Sequence, residues 1–480
     1  MSAAPLLDAA ALRAAGRTPA TPFRVQLADG RRVQIERLLR VLPGKRVVGA
    51  GTLEGEAALI KLFIAPGSAR HWQREADGLA ALQDAALPTP AVLTAGPLAG
   101  EGHAVVTAFL ADAEPLSALW QRSPADDVEA RLALLAPALT LLRRAHAAGL
   151  VQSDLHLGNF LVSGGQLWMI DGDAVQGPQA PGVPLSGTAA TANLALLLAQ
   201  FAPAFDEQAG NCLQTYLAAG DGPVIELQPL MREIEHQRAA RLRDFLAKSG
   251  RDCTLFQVRR SATRFSAVLR DEAQTLARLL ADPDTAIAHG HILKDGRTCT
   301  VARVDGDGRP LVIKRYNLKH LGHALSRCWR HTRAWQSWRE AHRLRFLGIA
   351  TPAPLALIET RLGPLRGRAW LISEHCPGSD LLTHLEPDAA PPPAEARALT
   401  RLFTALHRAR ISHGDLKATN LLWHAGEVVV IDLDAMQQHD SAATHARAWA
   451  KDRARLLRNW PAGSPLWRWL DENLPPACVR

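Results

Sequence analysis

The sequence predicts an α+β fold: two tandem bilobal domains, each with a strand-rich first lobe and a helical second lobe. Three observations predict it. An aspartate-rich motif occurs twice, a lysine-bearing strand occurs twice at nearly the same period, and the elements between them run in one order. VQSDLHLGNFLVSGGQLWMIDGDAV (151–175) and ISHGDLKATNLLWHAGEVVVIDLDAM (411–436) both read Asp-Leu-x-x-x-Asn, an apolar strand, then Ile-Asp-x-Asp. Asp154, Asn159 and Asp171 recur 261 residues later as Asp415, Asn420 and Asp432. AALIKLF (57–63) and PLVIKRY (310–316) place Lys61 and Lys314 253 residues apart. Self-similarity at a fixed period marks a repeated structural unit.

The elements follow in order. Turn-rich strand segments are expected over 21–63 and 286–316, with the Asp-Gly-Asp-Gly run at 305–308 as a hairpin turn. An amphipathic helix carries Glu75 in HWQREADGLAALQ and Glu340 in WQSWREAHRLRFL. A proline-containing turn follows, then a strand (AVVTAFL, AWLISEH), then a leucine-rich helix over 131–148 or 395–409. The aspartate-rich segment closes each copy. Residues 183–250 read as helices that complete the first half, which puts the boundary near Arg251 and the domains at 1–250 and 251–480.

Composition bounds the rest. A chain of 480 residues with 47% apolar content suits two globular domains. Six cysteines are too scattered for a CxxC pair, so free thiols in a reducing compartment are expected. The first twenty residues lack a basic start and an apolar core, so no signal peptide is expected. The longest apolar stretch, Ala189 to Phe205, is interrupted by Asn193, Gln200 and Pro203 and reads as a buried helix. Net charge is +8, carried by 47 arginines against eight lysines. That excess suits a polyanionic neighbour such as a membrane surface, but no recognition motif accompanies it, so nucleic acid is not expected.

The repeated residues supply what phosphoryl transfer needs: a held triphosphate, neutralised charge and a positioned nucleophile. A strand lysine (Lys61, Lys314) grips phosphates, and a helix glutamate (Glu75, Glu340) orients it through an ion pair. A loop aspartate (Asp154, Asp415) accepts the hydroxyl proton. An asparagine and an aspartate (Asn159 with Asp171, Asn420 with Asp432) offer the hard oxygens that Mg²⁺ favours. Lys417 adds a cation beside Asp415, where the first half has His156. Three of the eight lysines thus fall on motif positions. Asp173 and Asp434 read equally well as helix caps.

The second half resembles the bacterial lipopolysaccharide kinase family, the Kdo and heptose kinases of the inner core (InaA-type proteins). The resemblance rests on LVIKRYN, WREAHRL, GIATPAPLAL, AWLISEHCPG, HGDLKATNLL and VIDLDAM, over about residues 286–440. The first half resembles the same protein-kinase-like fold over about 45–175. The resemblance implies an ATP- and Mg²⁺-dependent phosphotransferase acting on a heptose or Kdo hydroxyl of the lipopolysaccharide core. It supports Asp415 as base, Lys314 as nucleotide lysine, and Asn420 with Asp432 as metal ligands. It also implies a cytoplasmic protein, peripheral at the inner-membrane face, with other core-biosynthesis enzymes as partners.

Two departures stand out. Neither half has a full Gly-rich loop; the second offers KDGRTCTV (294–301) and the first VVGAGTLEGE (47–56). In the first half Gln152-Ser153-Asp154 replaces His413-Gly414-Asp415, removing a histidine that braces such loops. The segment 325–346, with six arginines and Trp329, Trp335 and Trp338, reads either as an anionic-lipid contact or as a helix with tryptophans inward and arginines in water. A protein kinase and a non-catalytic assembly factor are the competing functions. The absence of an APE-type segment after Asp432 argues against the first, and the intact metal ligands argue against the second.

Overall fold

The computed structural model describes residues 4–124, 127–177, 182–317, 331–363 and 365–476. The chain divides into two compact units, residues 1–201 with 205–238 and residues 202–204 with 239–480. The division falls inside the continuous helix Leu227–Lys248, ahead of the boundary expected near Arg251. The cause is packing. Leu230 and Ile234 belong to the first core, whereas Leu242 and Leu246 belong to the second.

In the first unit, six antiparallel strands form one sheet: Phe23–Gln26, Arg32–Leu42, Arg46–Leu53, Glu56–Phe63, His103–Ala108 and Val92–Pro97, in that spatial order. Alternation along Glu56–Phe63 sends Ala58, Ile60 and Leu62 into the core under the sheet. Lys61 therefore points to the other face, where the helix Ala69–Asp84 packs. Of the glycines of VVGAGTLEGE, Gly49 and Gly51 lie in the strand Arg46–Leu53 and Gly55 in the turn that leads to Glu56–Phe63. A Cβ on Gly51 would lie 1.8 Å from the Gln34 carbonyl oxygen, so this glycine serves strand packing. The helical lobe is built on Val128–Ala147, Gly187–Leu198 and Ala209–Ala218. The stretch read as one buried helix from Ala189 is helical only to Leu198, and a 3₁₀ turn follows at Pro203–Gln208.

The second unit repeats this plan with additions. Its sheet has seven strands in the spatial order Phe256–Arg260, Arg264–Leu269, Pro354–Leu362, Leu365–Glu374, Pro310–Tyr316, Cys299–Asp305, His291–Asp295. The hairpin Phe256–Leu269 was not expected; it extends the sheet beyond Pro354–Leu362. The turn at 305–308 joins two strands as predicted. Below the sheet, helices Pro393–Arg408, Ala442–Leu457 and Pro465–Asn473 enclose Leu399, Phe403, Trp449, Leu456 and Leu470.

The helix Arg333–Phe346 accounts for the arginine-rich segment from Arg333 onward; residues 325–330, with Trp329, lie outside the described residues. Trp338 is fully buried, so a tryptophan does face the core. The arginines are not all in water. Arg343 is buried against Glu340 at 2.7 Å and Arg333 lies 3.7 Å from Asp434.

Candidate active site

In the second unit the motif residues converge on one cleft. Pairing of Lys314 with Val301 and Leu371 puts the lysine at the centre of the sheet. Leu311 and Ile313 point into the core, so Val312, Lys314 and Tyr316 share the opposite face. That face lines a cavity of about 440 Å³. Its apolar walls include Val301, Val312, Leu371, Leu422 and Ile431, and its polar end holds Lys314, Lys417, Asn420 and Asp432. The volume falls in the range of small-molecule clefts. The turn at Gly296 closes a hairpin whose Lys294 and Cys299 also line the cavity.

Backbone geometry assembles the aspartate-rich segment. The Ile431 N–H donates to the Asn420 carbonyl at 3.0 Å, which sets Asp432 beside Asn420. Asp432 takes a left-handed backbone with φ 62°, which asparagine and aspartate tolerate better than other side chains. His413 donates from Nε2 to the Ile431 carbonyl at 3.0 Å, and its Nδ1 accepts the Asp415 N–H at 3.3 Å. The imidazole is thereby a strut between the two halves of the motif. Asp415 carries two cations: Lys417 lies 3.0 Å from Oδ2 and Arg455 2.9 Å from Oδ1.

Two residues of this arrangement escaped the sequence reading. Asp452, 2% exposed, accepts the backbone N–H groups of His413 (2.6 Å) and Gly414 (3.0 Å). Arg455, three residues on, reaches Asp415 and the Gly414 carbonyl. Both come from the helix Ala442–Leu457, and no repeated motif flags it. The i, i+3 spacing of two opposite charges was the signal available.

The expected Lys314–Glu340 pair does not form. Lys314 Nζ lies 2.5 Å from Asp432 and 2.9 Å from Asp434. Asp434 also accepts from the Tyr316 hydroxyl and the Ser337 hydroxyl, both at 2.7 Å. It is a ligand of the lysine rather than a helix cap. Glu340 turns to Arg343 and to the Gln336 amide instead. Burial disfavours charge on Lys314, but Tyr316, Asp434 and Asp432 more than offset it, so the lysine is held above its usual range. Burial raises the Tyr316 phenol. Lys314 outweighs burial at Asp432, whose carboxyl is held below the ordinary value.

The first unit does form the predicted pair. Lys61 Nζ lies 2.5 Å from Glu75 and 3.3 Å from Asp171. Glu75 is fully buried and accepts the N–H groups of Gly172 (3.3 Å) and Asp173 (3.1 Å). Burial pushes the Glu75 carboxyl up and Lys61 offsets only part of that. Burial works in the same direction on Asp171, but Lys61, Glu75 and Arg46 together hold it down.

Glycine explains the difference between the units. A Cβ on Gly78 would lie 2.0 Å from the Gly172 carbonyl oxygen, and one on Gly172 would lie 2.3 Å from that of Glu75. Helix and loop meet backbone to backbone. Aligned on the Arg-Glu-Ala and Asp-x-Asp repeats, the second unit has Arg343 and Leu433 at these places, so the same approach is closed. Asp173 pairs with Arg74 at 2.7 Å, so it too is more than a cap.

The loss of histidine at Gln152 is compensated. The Gln152 side-chain amide donates to the carbonyls of Ile170 (3.2 Å) and Asp171 (3.1 Å), spanning the gap that His413 spans. Its backbone carbonyl accepts from Asn193 Nδ2 at 2.7 Å, which anchors the loop from the helix Gly187–Leu198. The Ile170 N–H donates to the Asn159 carbonyl at 2.8 Å, matching the second unit. Asp154 is exposed.

Residues 291–468 match the model of the lipopolysaccharide kinase (Kdo/WaaP) family. No curated protein matches the chain. Among solved structures, vaccinia related kinase 3 is similar at 13% identity, over 50% of this chain and 79% of that one, with a TM-score of 0.30. The PknI kinase domain of Mycobacterium tuberculosis is similar in two mutant forms. One is 16% identical over 43% of this chain and 95% of that one, with a TM-score of 0.29. The other is 17% identical over 46% of this chain and 99% of that one, with a TM-score of 0.30.

Proposed function

We propose, from the premise that residues 291–468 are a lipopolysaccharide-kinase-family region and hence a kinase, that the second unit transfers the γ-phosphoryl group of ATP to a heptose or Kdo hydroxyl of the lipopolysaccharide core. The observation that carries the reading is the single cleft that gathers Lys314, Lys417, Asn420 and Asp432 at one end of an apolar cavity. The apolar walls suit a purine, and the cationic end suits its phosphates.

In this reading Asp415 accepts the proton of the acceptor hydroxyl as that oxygen bonds to the γ-phosphorus. The bond from that phosphorus to the bridging oxygen breaks, and the electron pair leaves with ADP. Lys417 sits beside Asp415 and in the cavity lining, where its charge meets the transferring group. Arg455 holds the carboxylate and Asp452 holds the backbone N–H groups of His413 and Gly414 just before it, so the base is oriented before the acceptor arrives.

The residues fit Mg²⁺. Asn420 and Asp432 are a hard-oxygen pair set side by side by the Ile431–Asn420 backbone bond. Among the described residues no cluster of three or more His, Cys, Asp or Glu that could hold a metal ion occurs. When bound, the ion would neutralise charge on the phosphates.

Transfer of labelled γ-phosphate to intact and delipidated core oligosaccharide tests the assignment. Labelled product is expected from the wild type. Asp415→Asn is expected to lower turnover by roughly 10² to 10⁴ while nucleotide still binds. Unchanged turnover would remove Asp415 from the chemistry. Peripheral attachment to an anionic membrane is part of the proposal. It is supported by Arg447, Lys451 and Arg458, which stand exposed on or just beyond the helix that carries Arg455. Each such cation near an anionic surface contributes about 1 kcal/mol. Vesicle cosedimentation should weaken as salt rises; binding indifferent to salt would reject the electrostatic attachment. Among the described residues no helix is long and apolar enough to cross a membrane.

A further inference from the structure

The family match starts at residue 291 and leaves the first unit without an assignment. We infer that the first unit holds a second nucleoside triphosphate site, already formed before any ligand arrives, in which Lys61, Asn159 and Asp171 face the phosphates and their Mg²⁺. This rests on the same nucleotide chemistry proposed for the second unit.

The core of the inference is a lysine that is only partly enclosed. The Lys61 side chain is 13% accessible and Asp171 32%, whereas their partner Glu75 is 0%. A pair that served packing alone would gain little from staying open on one side, because apolar residues of similar volume stabilise an interior at least as well. Here the glutamate is sealed behind the lysine and bound by two backbone N–H groups, so it holds Lys61 in place. The open side of the lysine and of Asp171 faces outward together.

The surroundings repeat those of the second cleft. Val48 pairs with Lys61 as Val301 pairs with Lys314, and Leu59 precedes Lys61 as Val312 precedes Lys314. Leu161 and Ile170 stand at the motif positions of Leu422 and Ile431. All four are half-buried apolar side chains. They offer the walls against which a base packs. Asn159 and Asp171 are brought together by the Ile170–Asn159 bond, and Asp171 has φ 74°, the same left-handed setting as Asp432. Gln152 holds this turn closed from behind. The oxygen pair therefore fits Mg²⁺ as well as the second unit does. The cation provision differs: His156 stands where Lys417 stands, so the structure assigns this site to holding nucleotide, with transfer left to the second unit.

The test is stoichiometry on the full chain. Isothermal titration with Mg²⁺ and a non-hydrolysable ATP analogue is expected to give two bound nucleotides per chain. Lys61→Met is expected to leave one, Lys314→Met is expected to leave one, and the double variant none. Asp171→Asn, which keeps volume and leaves the Lys61–Glu75 pair intact, is expected to weaken the first-unit site at least tenfold and guards against misfolding of Lys61→Met. One nucleotide in the wild type, lost in Lys314→Met and kept in Lys61→Met and Asp171→Asn, would overturn the inference, as would none in the wild type. One nucleotide lost only in Lys61→Met would leave this site standing and reject the second-unit site instead.

Discussion

Gln152 and His413 show how far a motif can change while its geometry persists. A histidine and a glutamine both place a donor about three bonds beyond Cβ, and both aim it at the carbonyl before the left-handed aspartate. Reading letters marks this as a loss; reading donors marks it as a substitution. Gln152→Ala is expected to destabilise the first unit by about 1–3 kcal/mol, because two half-buried carbonyls lose their donor. Gln152→His is expected to recover most of that. Thermal denaturation decides it, and equal losses in both variants would show that the amide does not brace the loop. Arg455 acts on Asp415 in the second unit. Arg455→Ala is expected to reduce kcat at least tenfold with little change in nucleotide affinity, since Arg455 touches the carboxylate and not the cavity lining. A rise in the KM for ATP with kcat intact would place it on the nucleotide instead. Neither Arg455 nor Asp452 was legible in the sequence, because each makes its contact across about forty residues to a backbone group or to the motif aspartate.

The lysine-facing helices differ because of two side chains that glycine lacks. Where Gly78 and Gly172 touch, the helix Ala69–Asp84 delivers Glu75 to Lys61. With bulk at both places, the helix Arg333–Phe346 delivers Ser337 instead, and Asp434 fills the gap. The sequence showed both glutamates at matching positions and so predicted two pairs. The single-residue change from Gly172 to its counterpart Leu433 carried the warning, and only the distance between backbones made it legible. Gly78→Ala is expected to cost about 1–3 kcal/mol by overpacking and to weaken nucleotide binding by the first unit. A variant with unchanged stability would mean that the helix can retreat without strain. The mixed α and β content, the two lysine-bearing strands, the leucine-rich helices and the hairpin turn at 305–308 were legible, because each rests on local periodicity or turn chemistry. The hairpin Phe256–Leu269 was not, because it repeats nothing in the first half.

Two properties belong to each unit as a whole. The first is where it ends. A fragment beginning at Arg251 lacks Leu242 and Leu246, which the second core requires. Each buried leucine lost costs about 2–5 kcal/mol. Residues 251–480 are therefore expected to denature well below residues 239–480, and equal midpoints would show that the shared helix is dispensable. The second property is acid sensitivity. His342 is buried against Phe245, Phe256 and Trp338, and burial pushes its imidazole down to about 3. His146 is buried between Tyr216 and Asn193 and is pushed down to about 4. Unfolded, both titrate near 6.5. Below that pH the unfolded chain takes up protons that the folded chain refuses. Their contribution is complete above pH 6.5 and is lost as pH falls toward the folded values, about 2 kcal/mol per histidine at pH 5. His342→Leu should remove its share of the difference between pH 7.5 and pH 5. An unaltered pH dependence in urea denaturation would reject the assignment.

Lys314, held between Asp432 and Asp434, has a kinetic consequence. The charge a triphosphate would seek is already neutralised by two carboxylates. A triphosphate bound in the proposed site would have to displace at least one of those carboxylates from the lysine. Association should therefore proceed in two steps, with an observed rate that levels off as nucleotide concentration rises. In the first unit Lys61 is shared between Glu75, sealed behind it, and Asp171, so one carboxylate rather than two stands to be exchanged, and its rate should level off only at higher concentration. Stopped-flow traces with a fluorescent nucleotide would separate the two phases. A linear dependence throughout would mean that Asp434 leaves Lys314 faster than nucleotide can arrive.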